Sequence, residues 1–136
     1  MALEDENRKI FVACYKAART QDWENFRSYL DPEIALHQAA SLPYGGTYKG
    51  PDQVEACLQR MFSAWSNVTF TLDRMLVGGD LGFVLFDVRF TAKCGHIVEI
   101  PVVELWRIRN AKLLEIRPFY FDTHAVWDAL ADHGRS

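Results

Sequence analysis

The sequence has little of what disulfides, metal sites or membranes require. Its three cysteines stand alone, an odd number with no C-x-x-C spacing, which indicates free thiols in a reducing compartment. The four histidines are scattered, so we expect no zinc site. No apolar run approaches the length of a membrane span, and the acidic start lacks the apolar core of a signal peptide. The default expectation is therefore a cytoplasmic protein with no membrane partner.

Basic runs and nucleotide-binding motifs are also missing. The formal net charge is −3 and no run of Lys or Arg occurs, whereas a protein that neutralises phosphates normally shows a basic face. The glycine-containing segment 42–50 lacks the Gly-Lys-Ser/Thr of a phosphate loop, and no G-x-S-x-G elbow is present. We therefore expect no nucleic-acid partner and no cofactor.

What the chain does have is the composition of one globular domain spanning 1–136. It contains 136 residues, of which 49% are hydrophobic and 24% charged. Aromatic residues, at 13%, are frequent for so short a chain, and aromatic rings can line cavities for apolar ligands. The expected partner is a small apolar molecule.

The first half of the sequence has helical spacing. We predict a first helix over Glu4–Thr20, and Asp22 as the N-cap of a short second helix. A short strand, Ile34–Gln38, and a loop, Ala39–Gly50, follow. Pro51 favours the first position of a third helix, whose apolar stripe comprises Val54, Leu58, Met61, Phe62 and Trp65.

From Val68 onward the apolar period changes from 3.6 to 2. It predicts strands at about 68–77, 81–92, 96–109 and 112–121, joined by short turns, before a final helix at 123–131. Because short turns join antiparallel neighbours, we expect an antiparallel sheet. Helices followed by a strand meander indicate the α+β class.

Strand 96–109 carries a carboxylate in an apolar row. Glu104 alternates with Val98, Ile100, Val102 and Trp106. Burial raises a carboxyl pKa and can keep the acid neutral near pH 7. The alternative is a strand-end Glu that reaches solvent or pairs with an Arg, and the sequence leaves both interpretations open.

The last strand places Tyr120 and Asp122 on one side, because side chains two apart share a face. An acid and a base this close can bracket a small substrate. Asp122 also directly precedes a helix, where it would be a good N-cap, and Tyr120 can simply be a cavity wall. In strand 81–92 an apolar face is expected to line the pocket; it comprises Val84, Phe86, Val88 and Phe90.

Three segments resemble the SnoaL-like branch of the nuclear transport factor 2-like superfamily. They are Tyr15–Trp23, Leu42–Gly50 and Glu115–Asp122, and the order of helices and strands agrees over nearly the whole chain. The resemblance implies a cone-shaped, strongly curved antiparallel sheet wrapped around N-terminal helices, with an apolar pocket. The fold hosts isomerases, cyclases, hydrolases and proteins without activity.

The resemblance also implies roles for particular residues. Glu104 matches the acid of ketosteroid isomerases, whereas their general base falls on Gln38 and their oxyanion-hole tyrosine falls nearest Cys14. Asp122 matches the acid/base of SnoaL-type polyketide cyclases. Limonene epoxide hydrolase also has an Asp there, but its Arg and second Asp fall on Val88 and Phe90.

The hypothesis from sequence is a cofactor-independent acid/base enzyme, an isomerase or cyclase acting on a small apolar, steroid- or polyketide-like molecule. Asp122 would move the proton and Glu104 would donate to the oxyanion. Tyr120, Gln38 and Tyr48 would orient the substrate, Tyr44 would help to close the pocket mouth, and the wall would comprise Leu36, Phe86, Val88, Phe90 and Val102. The alternatives are a non-catalytic ligand-binding protein and an epoxide hydrolase with a rearranged site. By analogy with the family we expect a homodimer.

Overall fold

The computed structural model describes the backbone of residues 2–132 and consists of four helices and six strands within that range. Met1 and residues 133–136 of the predicted domain lie outside the described part. The helices are α1 (Ala2–Arg19), α2 (Trp23–Ser28), α3 (Gly50–Ser63) and α4 (Thr123–Asp132). The strands are β1 (Leu30–Gln38), β2 (Gly46–Lys49), β3 (Asn67–Gly78), β4 (Leu81–Thr91), β5 (Ile97–Arg109) and β6 (Lys112–Tyr120).

The six strands form one sheet in the order β2-β1-β6-β5-β4-β3. Strands β3 to β6 form the expected antiparallel meander, but β1 and β6 run parallel, so the sheet is mixed. The prediction of a wholly antiparallel sheet was wrong at this pair. Short turns determine the direction of strands that follow one another, whereas β1 and β6 are separated by most of the chain.

The predicted helices are confirmed to within a few residues. The Asp22 side chain accepts a hydrogen bond from the Asn25 N–H at 3.3 Å and so caps α2. Two details differ from the prediction: β1 starts earlier, at Leu30, and the predicted loop 39–50 contains the short strand β2. The pairing of β1 with β6 shifts register between Leu30 and Ala35, around Pro32, which has no N–H to donate to the ladder.

Helices α1 and α3 pack on the sheet, α1 against β3 and β6 and α3 against β1. The alternation predicted for β4 is confirmed, since Val84, Phe86, Val88 and Phe90 are all buried. On α3 the stripe is deepest at Val54, Cys57 and Met61, whereas Leu58 and Phe62 are half-buried. No helix within residues 2–132 has the length and hydrophobicity needed to span a membrane.

Candidate functional site

A small cavity lies between the inner face of the sheet and helices α1, α2 and α3. Its volume is about 30 Å³, so an organic ligand fits only if lining side chains move. The flexible thioether side chain of Met61 is one wall that can adapt in this way. Six of the residues selected from the sequence line it: Leu36, Gln38, Phe86, Val88, Glu104 and Tyr120.

Glu104 is the one carboxylate in the lining. Its side chain is only 13% exposed, because the alternation of β5 turns it to the same side as Val102 and Trp106. Burial raises the pKa of Glu104 above its usual value, although the Arg19 charge and a hydrogen bond from Trp106 oppose the rise. The indole Nε1–H of Trp106 donates that bond to Glu104 Oε1 at 3.0 Å.

Arg19, at the C-terminal end of α1, is the cation of the cavity. Its Nη2 lies 3.9 Å from Glu104 Oε1, and its side chain is 15% exposed. The alternative interpretation of Glu104 allowed either contact with solvent or a pair with an Arg, and the structure shows the Arg pair, with little of either side chain exposed. Sequence reasoning missed Arg19 because a cation in the last turn of a helix is explained by the helix dipole alone.

Two further polar side chains face the cavity. Tyr120 reaches it from β6, and burial raises the pKa of its hydroxyl well above the usual value, so the group stays neutral and can donate a hydrogen bond. Gln38 reaches it from β1, is 6% exposed, and its Oε1 has no hydrogen-bond partner. The cavity thus joins one acid, one cation, one phenol and one amide to apolar walls.

The remaining predicted site residues do not line this cavity. The Tyr48 hydroxyl donates a hydrogen bond to the Tyr44 carbonyl at 2.9 Å and accepts one from Arg60 Nη2 at 2.6 Å. Both bonds stabilise the local structure around Tyr48. Tyr44 is buried, and burial raises its pKa to about 12. Burial likewise raises the pKa of the Cys14 thiol to about 12, which makes it unreactive. Two more belong to the buried core: Phe90 and Val102.

Asp122 is exposed and outside the lining of the cavity. Its Oδ1 accepts a hydrogen bond from the Ala125 N–H at 3.1 Å, three residues on, at the start of α4. This is the geometry of an N-cap, the alternative that the sequence left open. The geometry therefore separates Asp122 from Glu104, which the sequence had placed in one site.

The structural comparisons place this geometry in a known fold. An NTF2-like protein of unknown function from Burkholderia pseudomallei has 23% identity and a TM-score of 0.84, with 92% of this chain and 97% of that chain covered. An NTF2-like protein from Burkholderia thailandensis has 25% identity and a TM-score of 0.84, with coverage of 91% and 96%. TerC, co-crystallized with polyporic acid, has 19% identity and a TM-score of 0.82, with coverage of 93% and 98%.

The sequence comparisons agree with the fold. No curated protein matches the chain. The family model of the SnoaL-like domain matches residues 11–116, a range that begins in α1 and reaches into β6. The match therefore covers most of the chain, including Arg19, Gln38 and Glu104. The chain belongs to the SnoaL-like domain family.

Proposed function

We propose that the chain is a cofactor-independent acid/base enzyme, an isomerase or cyclase acting on a small, largely apolar carbonyl compound. The observation that carries the proposal is the Glu104 carboxyl, 13% exposed as a side chain, 3.9 Å from the Arg19 guanidinium in a largely apolar cavity. A general base needs a pKa near the working pH, and burial moves a carboxyl in that direction. The family membership and the TerC complex with polyporic acid support a small organic ligand.

In the proposed reaction the Glu104 carboxylate removes a proton from the carbon next to a carbonyl. The electron pair of that C–H bond moves onto the carbonyl oxygen and gives an enolate. Arg19 and the neutral Tyr120 hydroxyl stabilise this oxygen, since charge is stabilised best by groups fixed in a water-poor site. Where a C=C bond is conjugated with the enolate, return of the proton to the far carbon of that system gives an isomer. Attack of the enolate carbon on a second carbonyl gives a ring, and Glu104 then protonates the new alkoxide.

This proposal transfers the proton role from Asp122 to Glu104. Asp122 is exposed and holds the start of α4, whereas Glu104 lines the cavity. An epoxide hydrolase has less support, because Val88 and Phe90 occupy its Arg and second Asp positions. The non-catalytic ligand-binding protein remains the rival that an experiment must separate.

The test is proton exchange on carbonyl probes in D₂O, followed by ¹H NMR over a panel of small cyclic ketones and enones. We expect the wild type to exchange protons next to the carbonyl of at least one probe. Glu104→Gln should lose about 10²–10⁴ of that rate. Glu99→Gln, the same change at an exposed position of β5, should keep it. Probes that bind without exchange would support the non-catalytic binder and overturn the proposal.

We also propose that the protein is a cytoplasmic homodimer that associates through the outer face of the sheet. The strand register sets apolar side chains beside one another there: Phe83, Leu105, Val103 and Phe119. Phe119 is 55% exposed, although it is large and apolar. Exposed Asp87 and Arg117 flank the patch, so a two-fold axis can set acid against base.

The proposed cytoplasmic location rests on the cysteines. None of the three forms a disulfide, which suits a reducing compartment: Cys14, Cys57 and Cys94.

A further inference from the structure

The Arg19 guanidinium is held between aromatic rings. Its Cζ lies 4.2 Å from the ring centroid of Tyr15, 4.0 Å from that of Phe70 and 4.5 Å from that of Phe86. A cation this close to aromatic faces is attracted to them, most strongly where water is excluded. These contacts hold the guanidinium plane in place, and the hydrogen-bond partners of its N–H groups decide whether it can bind another group.

One edge of that plane has no hydrogen-bond partner. Nε and Nη2 of Arg19 are both buried, and neither makes a hydrogen bond. The Glu104 oxygen at 3.9 Å from Nη2 attracts the cation but is too far for a hydrogen bond. The Nε–H and one Nη2–H point the same way, which is the fork that receives two oxygen atoms of a carboxylate. Buried donors without partners are uncommon in folded proteins and call for an explanation.

We infer that the cavity binds a planar anion with two oxygen atoms, such as a carboxylate, along the Nε–Nη2 edge of Arg19 while Glu104 carries a proton. This inference rests on the proposed function, because the bound state has the charges of the proposed intermediate: an anionic ligand beside a protonated Glu104. Beyond the proposed function, it specifies the charge and the shape of the ligand group that the cavity binds. The Oε1 of Gln38, also without a partner, is placed to accept a hydrogen bond from a hydroxyl of the ligand.

The coupling to a proton follows from the charges around the cavity. Arg19 from α1 faces Glu104, Tyr120 from β6 is neutral, and Trp106 on the same strand donates a hydrogen bond. One cation can compensate one buried anion. A second anion beside ionised Glu104 would be unbalanced, so binding an anion favours protonation of Glu104. Burial, which raises the pKa of Glu104, acts in the same direction.

The experiment compares acids with amides of the same shape, benzoate with benzamide and acetate with acetamide, by NMR titration and calorimetry. We expect the wild type to bind each acid about 10- to 100-fold more tightly than its amide, as a charged hydrogen-bonded pair does. Arg19→Met should abolish the preference, and Arg19→Lys, which keeps the charge without the fork, should retain part of it. The control is Arg8→Met, an exposed position on the same helix, which should leave the preference intact.

Calorimetry in two buffers of different ionisation enthalpy provides a second readout. Acid binding to the wild type should take up protons at pH values where Glu104 is ionised in the free protein, and Glu104→Gln should bind acids more tightly without uptake at those pH values. Wild type that binds neither acid more tightly than its amide would overturn the inference, even if Arg19→Met does not fold. Anion binding without proton exchange on carbonyl probes would overturn only the proposed function. Exchange without a preference for acids would overturn only this inference.

Discussion

The buried carboxyl of Glu104 predicts a specific dependence of stability on pH. A folded-state pKa that is raised above the unfolded value means full stability at pH values below the unfolded pKa, where both states are protonated. As the pH rises past the unfolded pKa of about 4.3, the unfolded chain releases the proton and the folded chain retains it. The contribution of this group to the unfolding free energy then falls by up to about 1.4 kcal/mol per pH unit. The loss is complete once the pH exceeds the folded pKa.

The assay is urea unfolding of wild type and Glu104→Gln over a pH series from about 4 to 8. The difference between the two free energies cancels the titration of the groups that the substitution leaves undisturbed. We expect the unfolding free energy of Glu104→Gln to increase relative to that of the wild type as the pH rises. The difference should then become constant. Glu99→Gln, at an exposed site of the same strand, reports the effect of removing one charge. A difference that stays flat, or that shrinks with rising pH, would refute the buried-carboxyl reasoning.

Three further predictions concern packing, capping and assembly. Phe26→Ala, at a fully buried ring, should lower the unfolding free energy by about 3–5 kcal/mol, and half-buried Phe62→Ala should cost less; the reverse order in urea unfolding would contradict the assigned core. Asp122→Asn should keep both the melting temperature and the exchange rate, because Asn caps as well as Asp, and a large loss of exchange would restore Asp122 as proton carrier. If the proposed dimer forms, Phe119→Lys should convert it to a monomer in light scattering, and a dimeric mass that stays unchanged would exclude this face.

Local patterns in the sequence predicted most of the fold. The change from a 3.6 to a 2.0 period near Val68 marks the start of β3, and the predicted ends of β3 to β6 are within a residue or two of those observed. The parallel pairing of β1 with β6 could not be predicted from the sequence, because the local spacing of residues carries no information about contacts between distant segments. Strand β2 was missed for a related reason, since four residues in a Gly- and Tyr-rich stretch show no clear alternation.

The candidate site was only half predictable. Alternation selected Glu104, because a carboxylate in an apolar row is conspicuous. It could not select Arg19, whose function depends on rings from β3 and β4 that enclose it. Asp122 is the opposite case. A shared strand face suggested that it faces the pocket, whereas the structure has it exposed at the start of α4, which is the alternative that the sequence left open.

In the proposed acid/base site, Arg19 and Glu104 are electrostatically coupled. The most direct test is carboxyl-detected NMR titration of Glu104 in the wild type and in Arg19→Met. We expect a pKa above the usual glutamate value in the wild type, and a still higher pKa in Arg19→Met, because the cation that favours the charged form is gone. A usual or lowered wild-type pKa, or the same value in both proteins, would contradict it.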